Sequence, residues 1–549
     1  MNEKRPDYVS EAEWADAKSR AEAKRGAGKR SARAPLGAQG GNRPTIMLRI
    51  GETERVVDEI EAALIASDRG LYRRGGLIVA TGFDRMQTWD GKSVVVQIIE
   101  ERDNYALLED IEAAAEFAVY DARTKQPKRT TPSIKLALTL KQRRHRLRLP
   151  NLVALVNCPT IRANGQLVTE PGFDLATGIL FDPRGVAFPP VPVGPTKAMA
   201  EAALARLKRL IETFDFVGKD DRAVALSLIL TAIVRSGLPT APMHGFDAPV
   251  AGAGKSKLVD IASILATGHE AGVTAQGEDR EEAEKRLSSL LMRGDPIIAL
   301  DNCETALEGV LINQTLTQTR VELRILGVSK IVTARCASLL TATGNNLVVK
   351  GDLTRRAVIG KLDPKVERPE LRQYDYDPIE DAKANRSELV AAALTILRAY
   401  HAAGRPDRPP RLQSFEQWSD TVRAALVWLG AGDPTATMDR LRKRDPVLAS
   451  LTAVLHTWRA AFGFEAVTVR KAMDAADNEK PDLRDALLAV AGRSGKIDAR
   501  ALGSWLAHHA ADRVVTLAED TLTAEPVAME ASGSRQGVAL WKLTLRTVG

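Results

Sequence analysis

Cysteine, histidine and aromatic residues are all scarce in this 549-residue chain. Its three cysteines, Cys158, Cys303 and Cys336, are scattered, no Cys-x-x-Cys pair occurs, and there are only seven histidines. That pattern excludes a zinc ribbon and suggests a reducing, cytoplasmic setting. Aromatics make up 5% of the residues, too few for base stacking to be the main means of gripping nucleic acid. No apolar run reaches membrane-span length and the N-terminus is polar, so neither a membrane partner nor a signal peptide is expected. Nor does the region from Thr45 to Pro150 hold paired aspartates at the spacing a two-metal primase needs.

What is present is ordinary for a soluble protein of several domains: 44% hydrophobic and 27% charged residues. A net charge of +7 leans towards polyanionic partners. The most informative stretch is FDAPVAGAGKSKLVD, Phe246 to Asp260. An apolar approach leads into a Gly-rich turn (Gly252, Ala253, Gly254), then Lys255, Ser256 and Lys257, then an apolar run with helical spacing. Glycines let backbone N–H groups turn inward on phosphates, Lys255 can neutralise β/γ oxygens, and Ser256 can ligate Mg²⁺. ATP and Mg²⁺ are the cofactors this pattern predicts. Pro249 stands where the P-loop pattern wants its first glycine, although proline can pre-set a turn.

Further parts follow in order. GDPIIALDNCE places Ile297, Ile298, Ala299 and Leu300 before Asp301, as in a strand buried on both faces with a carboxylate at its tip. That carboxylate can hold Mg²⁺ through water. CASLLTATGNN predicts a second such strand, ending in Asn345 and Asn346, either of which can orient the attacking water or touch a γ-phosphate. Next come Arg355 and Arg356, one of which is a candidate arginine finger for a neighbouring subunit's ATP. Individually these features are bland: an exposed Arg pair is usually a solvated face, and Asp after a strand is often a turn residue.

The order Lys255–Ser256, Asp301, Asn345/Asn346, Arg355/Arg356 resembles a AAA+ ATPase, specifically the superfamily 3-type helicase domain of phage and plasmid replication proteins. EPGFDLATGILFD (Glu170 to Asp182), preceded by CPTIRANGQLV, is similar to the region just upstream of the helicase core in prophage primase–helicases. The similarity covers roughly Val153 to Glu370. It implies a homo-oligomeric ring, hexameric or heptameric, with ATP at subunit interfaces and single-stranded DNA in the central channel. In this family a β-hairpin before the sensor strand carries a basic residue that grips the strand. RVELRILGVSKIVTARC occupies that place, with Lys330 near the tip and Arg320, Arg324 and Arg335 on the arms. An edge lysine that discourages strand pairing is the alternative for Lys330. One departure concerns chemistry. Asn302 follows Asp301 where such ATPases usually carry a second carboxylate, and an amide cannot act as a general base. Glu304, two residues on, is the remaining candidate.

The expected fold class is therefore α/β: a P-loop AAA+ core over 241–370, with a helical subdomain upstream at 196–240. Before these lie a basic disordered tail (1–44), with a short helix expected from Ser10, and a small α+β domain (45–190). The latter contains the basic run KQRRHRLRLP, Lys141 to Pro150, either a nucleic-acid or inter-subunit patch or a solvated helix face. After the core, a helical region (371–460) precedes a winged-helix-like domain (465–549) that binds either duplex DNA or protein. Trp505 and Trp541 are expected in its core. Three functions fit this reading: an ATP-driven ring helicase, a AAA+ initiator or loader acting on duplex DNA without processive unwinding, or a nucleotide-binding scaffold with little hydrolysis.

Overall fold

A computed structural model describes residues 43–88, 91–162, 164–274, 280–325, 330–372, 376–511, 513–517, 525–535 and 538–546. The expected basic tail up to residue 42, and with it the helix from Ser10, lies outside these residues. The chain divides into two units, one running to Leu347 and including Arg356–Thr437, the other comprising Val348–Arg355 and Met438–Gly549.

The apolar runs of the first unit pair into a five-stranded, all-parallel sheet: β1 (Met243–Ala248), β2 (Val273–Thr274), β3 (Ile297–Leu300), β4 (Leu339–Asn345) and β5 (Ala357–Lys361). Their spatial order is β2-β3-β4-β1-β5. β1 and β3 are buried along their whole length, as strands covered on both faces must be. Helix α1 (Lys255–Thr267) follows β1, and helix α2 (Arg280–Arg293) precedes β3. The helix Lys219–Val234 is buried on every side from Ala223 onward and packs against α1 and β5. It belongs to the same unit as the sheet, as does the helix Lys197–Leu210, which packs on the helix Arg386–Ala402.

Residues from Thr45 onward form the expected α+β arrangement. Thr45–Leu48 pairs in parallel with Glu116–Asp121, and the helices Thr53–Ala66, Asn104–Ala114 and Ile134–Gln142 share a core with Ile46 and Phe117. Leu77–Gln87 and Ser93–Glu101 make a long antiparallel hairpin.

In the second unit, helices Pro446–Phe462, Val469–Asn478, Pro481–Ala491 and Ala499–Trp505 pack on an antiparallel sheet. That sheet combines Val467–Thr468, Val538–Leu545, Glu525–Arg535 and Val514–Leu517, in that order. The boundary lies at Met438 rather than 465, because Leu451, Val454, Leu455 and Trp458 of the first helix belong to this core. Trp541 is buried there, and Trp505 is packed against it, partly exposed.

β1 itself carries a buried histidine. His244 is fully buried, with Nδ1 3.1 Å from the Pro242 carbonyl and Nε2 3.0 Å from Ser227 Oγ, and the Trp418 ring lies edge-on at 6.0 Å. Burial pushes its pKa down to about 3 from an ordinary 6.5. The unfolded chain therefore takes up this proton first as pH falls, so the group's effect is to remove stability between pH 6.5 and 3. We expect the unfolding free energy to drop by about 1.4 kcal/mol per pH unit from this site alone. Denaturant titrations across that window should show a shallower slope for His244→Gln than for the natural chain.

Candidate functional site

β1 and β4 are neighbours, and the connections that leave them run in opposite directions across the sheet, from β1 towards β2 and from β4 towards β5. The crevice beyond the carboxyl ends of strands at such a reversal is where open α/β sheets hold ligands. Both expected strand tips and the Gly-rich turn lie there. Register pairs Ala248 of β1 with Asn345 of β4, and Leu300 of β3 with Ala342 of β4.

The turn closes with Gly252 at φ 76° and Gly254 at φ 83°, a left-handed conformation that glycine adopts without strain. Space is as restrictive as conformation. A Cβ on Gly254 would come within 2.8 Å of the Phe214 ring, and one on Gly252 within 3.1 Å of the Glu370 carboxylate. α1 then starts at Lys255, with its first N–H groups at the crevice.

Lys255 is buried, and its Nζ donates to Asn345 Oδ1 at 2.8 Å and to the Val250 carbonyl at 3.3 Å. Burial pulls its pKa below the ordinary value, with Asp247 and Asp301 opposing that pull through their charge. Ser256 Oγ donates to Asp301 Oδ1 at 2.8 Å. Thr343 Oγ1 donates to the same carboxylate oxygen and accepts the Asn302 N–H at 3.1 Å. Asn302 has φ 50°, and its side-chain amide donates to Glu304 Oε1 at 3.3 Å. Cys303, fully enclosed beneath, is inert: burial drives its thiol pKa up to about 12.

The structure thus brings Lys255, Ser256, Asp301 and Asn345 together, with Asn302 and Glu304 beside them. Asn346 sits at the strand tip with φ 55°, its N–H bonded to the Ala248 carbonyl and its side chain exposed. Lys257 is exposed and takes no part in these contacts. Thr343, Phe214 and Glu370 were missed by sequence reasoning. Only Thr343 had a signal there, as a hydroxyl two residues before Asn345 on an apolar strand.

The two arginines part company. Arg356 donates through Nη1 to the Asn313 carbonyl and Thr317 Oγ1, at the carboxyl end of the helix Val310–Thr317. Arg355 belongs to the second unit and is exposed, with its Nε 2.5 Å from Asp352. There it lines, with Arg442 and Arg513, a cleft of about 540 Å³.

Arg320–Ile325 and Lys330–Arg335 form the expected hairpin, pairing Arg320 with Arg335 and Ile325 with Lys330. Val321, Leu323, Val332 and Ala334 are buried on one face, and Val332 joins a cluster with Tyr72, Val79 and Ile99. Arg335 is partly buried, which lowers its pKa, and Arg320 nearby adds to that effect. The turn at 326–329 and the side chains of Arg324 and Lys330 lie outside the described residues. The other basic run faces inward in part: Arg143 and Arg148 pair with Asp58 and the fully buried Glu61, and Lys141 with Glu101. That accounts for three of its cations as structural.

Among the described residues, no helix is long and apolar enough to cross a membrane, and no cluster of three or more His, Cys, Asp or Glu side chains is placed to hold a metal ion alone. No protein-family model and no curated protein matches the chain. Among solved structures it is similar to two A-form apo structures of the NrS-1 C-terminal region, each at 10% identity, with TM-scores of 0.31 and 0.35. A further apo structure of that region gives 12% identity and a TM-score of 0.31. In each case 81% of this chain and all of the other are covered.

Thr343→Val keeps the side chain's shape but removes a donor to Asp301 and an acceptor for Asn302. We expect a loss of about 1–3 kcal/mol in unfolding free energy, with an unchanged denaturant slope. Urea unfolding of the two proteins measures both quantities.

Proposed function

We propose that this chain is an ATP-driven, ring-forming DNA helicase of a phage, prophage or plasmid replication system. The observation that carries the reading is the convergence of Lys255, Ser256, Asp301 and Asn345 at the carboxyl edge of a parallel sheet ordered β2-β3-β4-β1-β5. That order and the loop after β1 fit the P-loop AAA+ core of the superfamily 3 type.

The residues suit a magnesium nucleotide. Lys255 is a buried ammonium whose hydrogen-bond partners are both neutral oxygens, an arrangement that favours an incoming polyanion. Ser256 and Asp301 offer two hard oxygen donors 2.8 Å apart, of the kind Mg²⁺ takes. Bound there, MgATP supplies a phosphoryl group activated for in-line attack by water. Lys255 and the amide groups at the start of α1 would hold the phosphates, Asp301 and Ser256 the metal, and Asn345 or Asn346 would register the γ-phosphate end.

Glu304 is the base in this reading. Asn302, unable to take a proton itself, orients Glu304 through its amide. Arg355 acts in trans on a neighbouring subunit's nucleotide, being exposed where Arg356 is engaged with Asn313. Lys330, with Arg324 and Arg335, tracks single-stranded DNA in the channel of a hexamer. The second unit is read as a winged-helix-like domain for duplex DNA, since Arg500 is exposed on the helix Ala499–Trp505 and His508 and His509 on the helical turn Leu506–Ala510 that continues it. Asn302 also favours a slower relative of this function, a nucleotide-dependent scaffold with little turnover. Work in the cytoplasm completes the reading.

ATP hydrolysis by the purified chain, with and without single-stranded DNA, tests it. Stimulation by the strand is expected in the natural protein. Lys255→Ala and Glu304→Gln should each lower the rate by roughly 100-fold or more. Tight nucleotide binding without turnover would instead support the scaffold.

A further inference from the structure

A second charged site lies at the opposite edge of the parallel sheet. Arg74, Val153, Arg235, Ser236, Gly294 and Ser338 are among the residues lining a cavity of about 20 Å³, next to the amino-terminal ends of β3 and β4. That volume holds one water-sized occupant.

Two guanidinium groups border it, each only 3% exposed. Arg74 donates through Nη1 to the Val153 carbonyl at 2.6 Å and through Nη2 to the Leu291 carbonyl at 2.9 Å. Arg235 donates to the carbonyls of Ser338 (3.0 Å), Leu238 (2.8 Å) and Cys336 (3.2 Å). Every oxygen acceptor is a neutral peptide carbonyl, and the Cys336 side chain also accepts from Arg235. No carboxylate among the described residues forms an ion pair with either arginine. Asp295, between the lining residues Gly294 and Pro296, gives both its oxygens to Arg293.

Buried cations are normally paired, because the charge loses its hydration and must be repaid locally. Proton loss is no way out, since burial lowers the Arg74 pKa only to about 10. Carbonyl dipoles repay part of this, the Leu291 oxygen most effectively because it lies in the last turn of α2. Two donors are nevertheless left over on residues lining the cavity: Arg74 Nε–H and Ser236 Oγ–H have no partner.

We propose that this cavity binds a single monatomic anion of chloride size, held by Arg74, Arg235 and Ser236. Water fits the same volume but brings no charge, and phosphate or sulfate is too large for it. The anion would join three parts of the first unit: the strand Leu71–Arg74, the end of the helix Lys219–Val234, and the entries to β3 and β4.

Thermal unfolding of the full chain tests this, with chloride exchanged for gluconate at constant ionic strength. A ligand bound only by the native state raises the midpoint with its concentration, here by about two degrees per tenfold increase in chloride beyond half-saturation. Bromide should replace chloride. Ser236→Ala, a small change in a buried position, should fold and require several-fold more chloride for the same shift. Arg74→Met should lose the dependence, and if that variant fails to fold, the Ser236→Ala titration decides alone. Equal midpoints in chloride and gluconate would overturn the proposal, as would a chloride effect that Ser236→Ala leaves unchanged.

Discussion

One carboxylate holds the candidate site together. Asp301 stands at the end of β3, and a single oxygen of it accepts from Ser256 on α1 and from Thr343 on β4. Three chain segments, far apart in sequence, are thereby fixed at one point. The strand order makes this possible: β4 lies between β3 and β1, so a residue just past β3 reaches both the β4 edge and the helix that leaves β1. Breaking that arrangement would leave hydroxyls without an acceptor and the Asn302 N–H without its partner, each costly in a partly buried place.

Helix α1 is constrained at both ends, and by opposite charges of the backbone. Its first N–H groups face the crevice, where Gly254 sets the entry angle in a conformation closed to larger residues. At its far end Arg386, buried, donates to the carbonyls of Ile264, Leu265 and Ala266, the negative end of the helix. The same Arg386 also donates to the Asn157 carbonyl, tying the helix to the strands upstream. The helix is thus prevented from sliding along its axis. In the proposed enzyme this matters because a phosphate site built from amide groups works only if those groups stay in place.

Cations with a structural part in the fold meet a carboxylate or, like Arg386, the carbonyl end of a helix. Arg143 and Arg148 answer Glu61, Arg423 answers Asp433, and Arg206 answers Asp381, each a charge matched by a charge. Lys255 is buried against neutral oxygens instead. Composition cannot reveal this. The run KQRRHRLRLP looks like the stronger polyanion patch in the sequence, yet three of its cations are committed within the fold. What was legible was local: the Gly-rich turn, the strand tips at Asp301 and Asn345, the buried character of β3, and the hairpin's two arms. Phe214 and Glu370 against the loop, Thr343 beside Asp301, and Arg386 at the far end of α1 were not legible as partners, because their contacts span tens to hundreds of residues and no periodicity encodes them. The boundary at Met438 was hidden for a related reason. The apolar face of Pro446–Phe462 announces a helix but not which core will receive it.

The clearest consequence of long-range folding is the separation of two adjacent arginines. Beyond Asn346 and Leu347 the chain enters Val348–Arg355, which belongs to the second unit, and returns to the first at Arg356. The Arg356 carbonyl accepts from Met243 N at 2.9 Å, which starts β1, so the return point is anchored to that strand. Arg355 has no such anchor. Its pairing with Asp352 is between side chains each about half exposed, three residues apart, a contact worth little in water. In the proposed enzyme, then, the strand tip that registers the nucleotide is joined by two residues to the segment carrying the exposed arginine. A change at Asn345 or Asn346 has a covalent route to Arg355, whereas Arg356 is held still by the sheet. Proximity in sequence would make the two arginines interchangeable, and their anchoring makes only Arg355 suited to meet a second subunit.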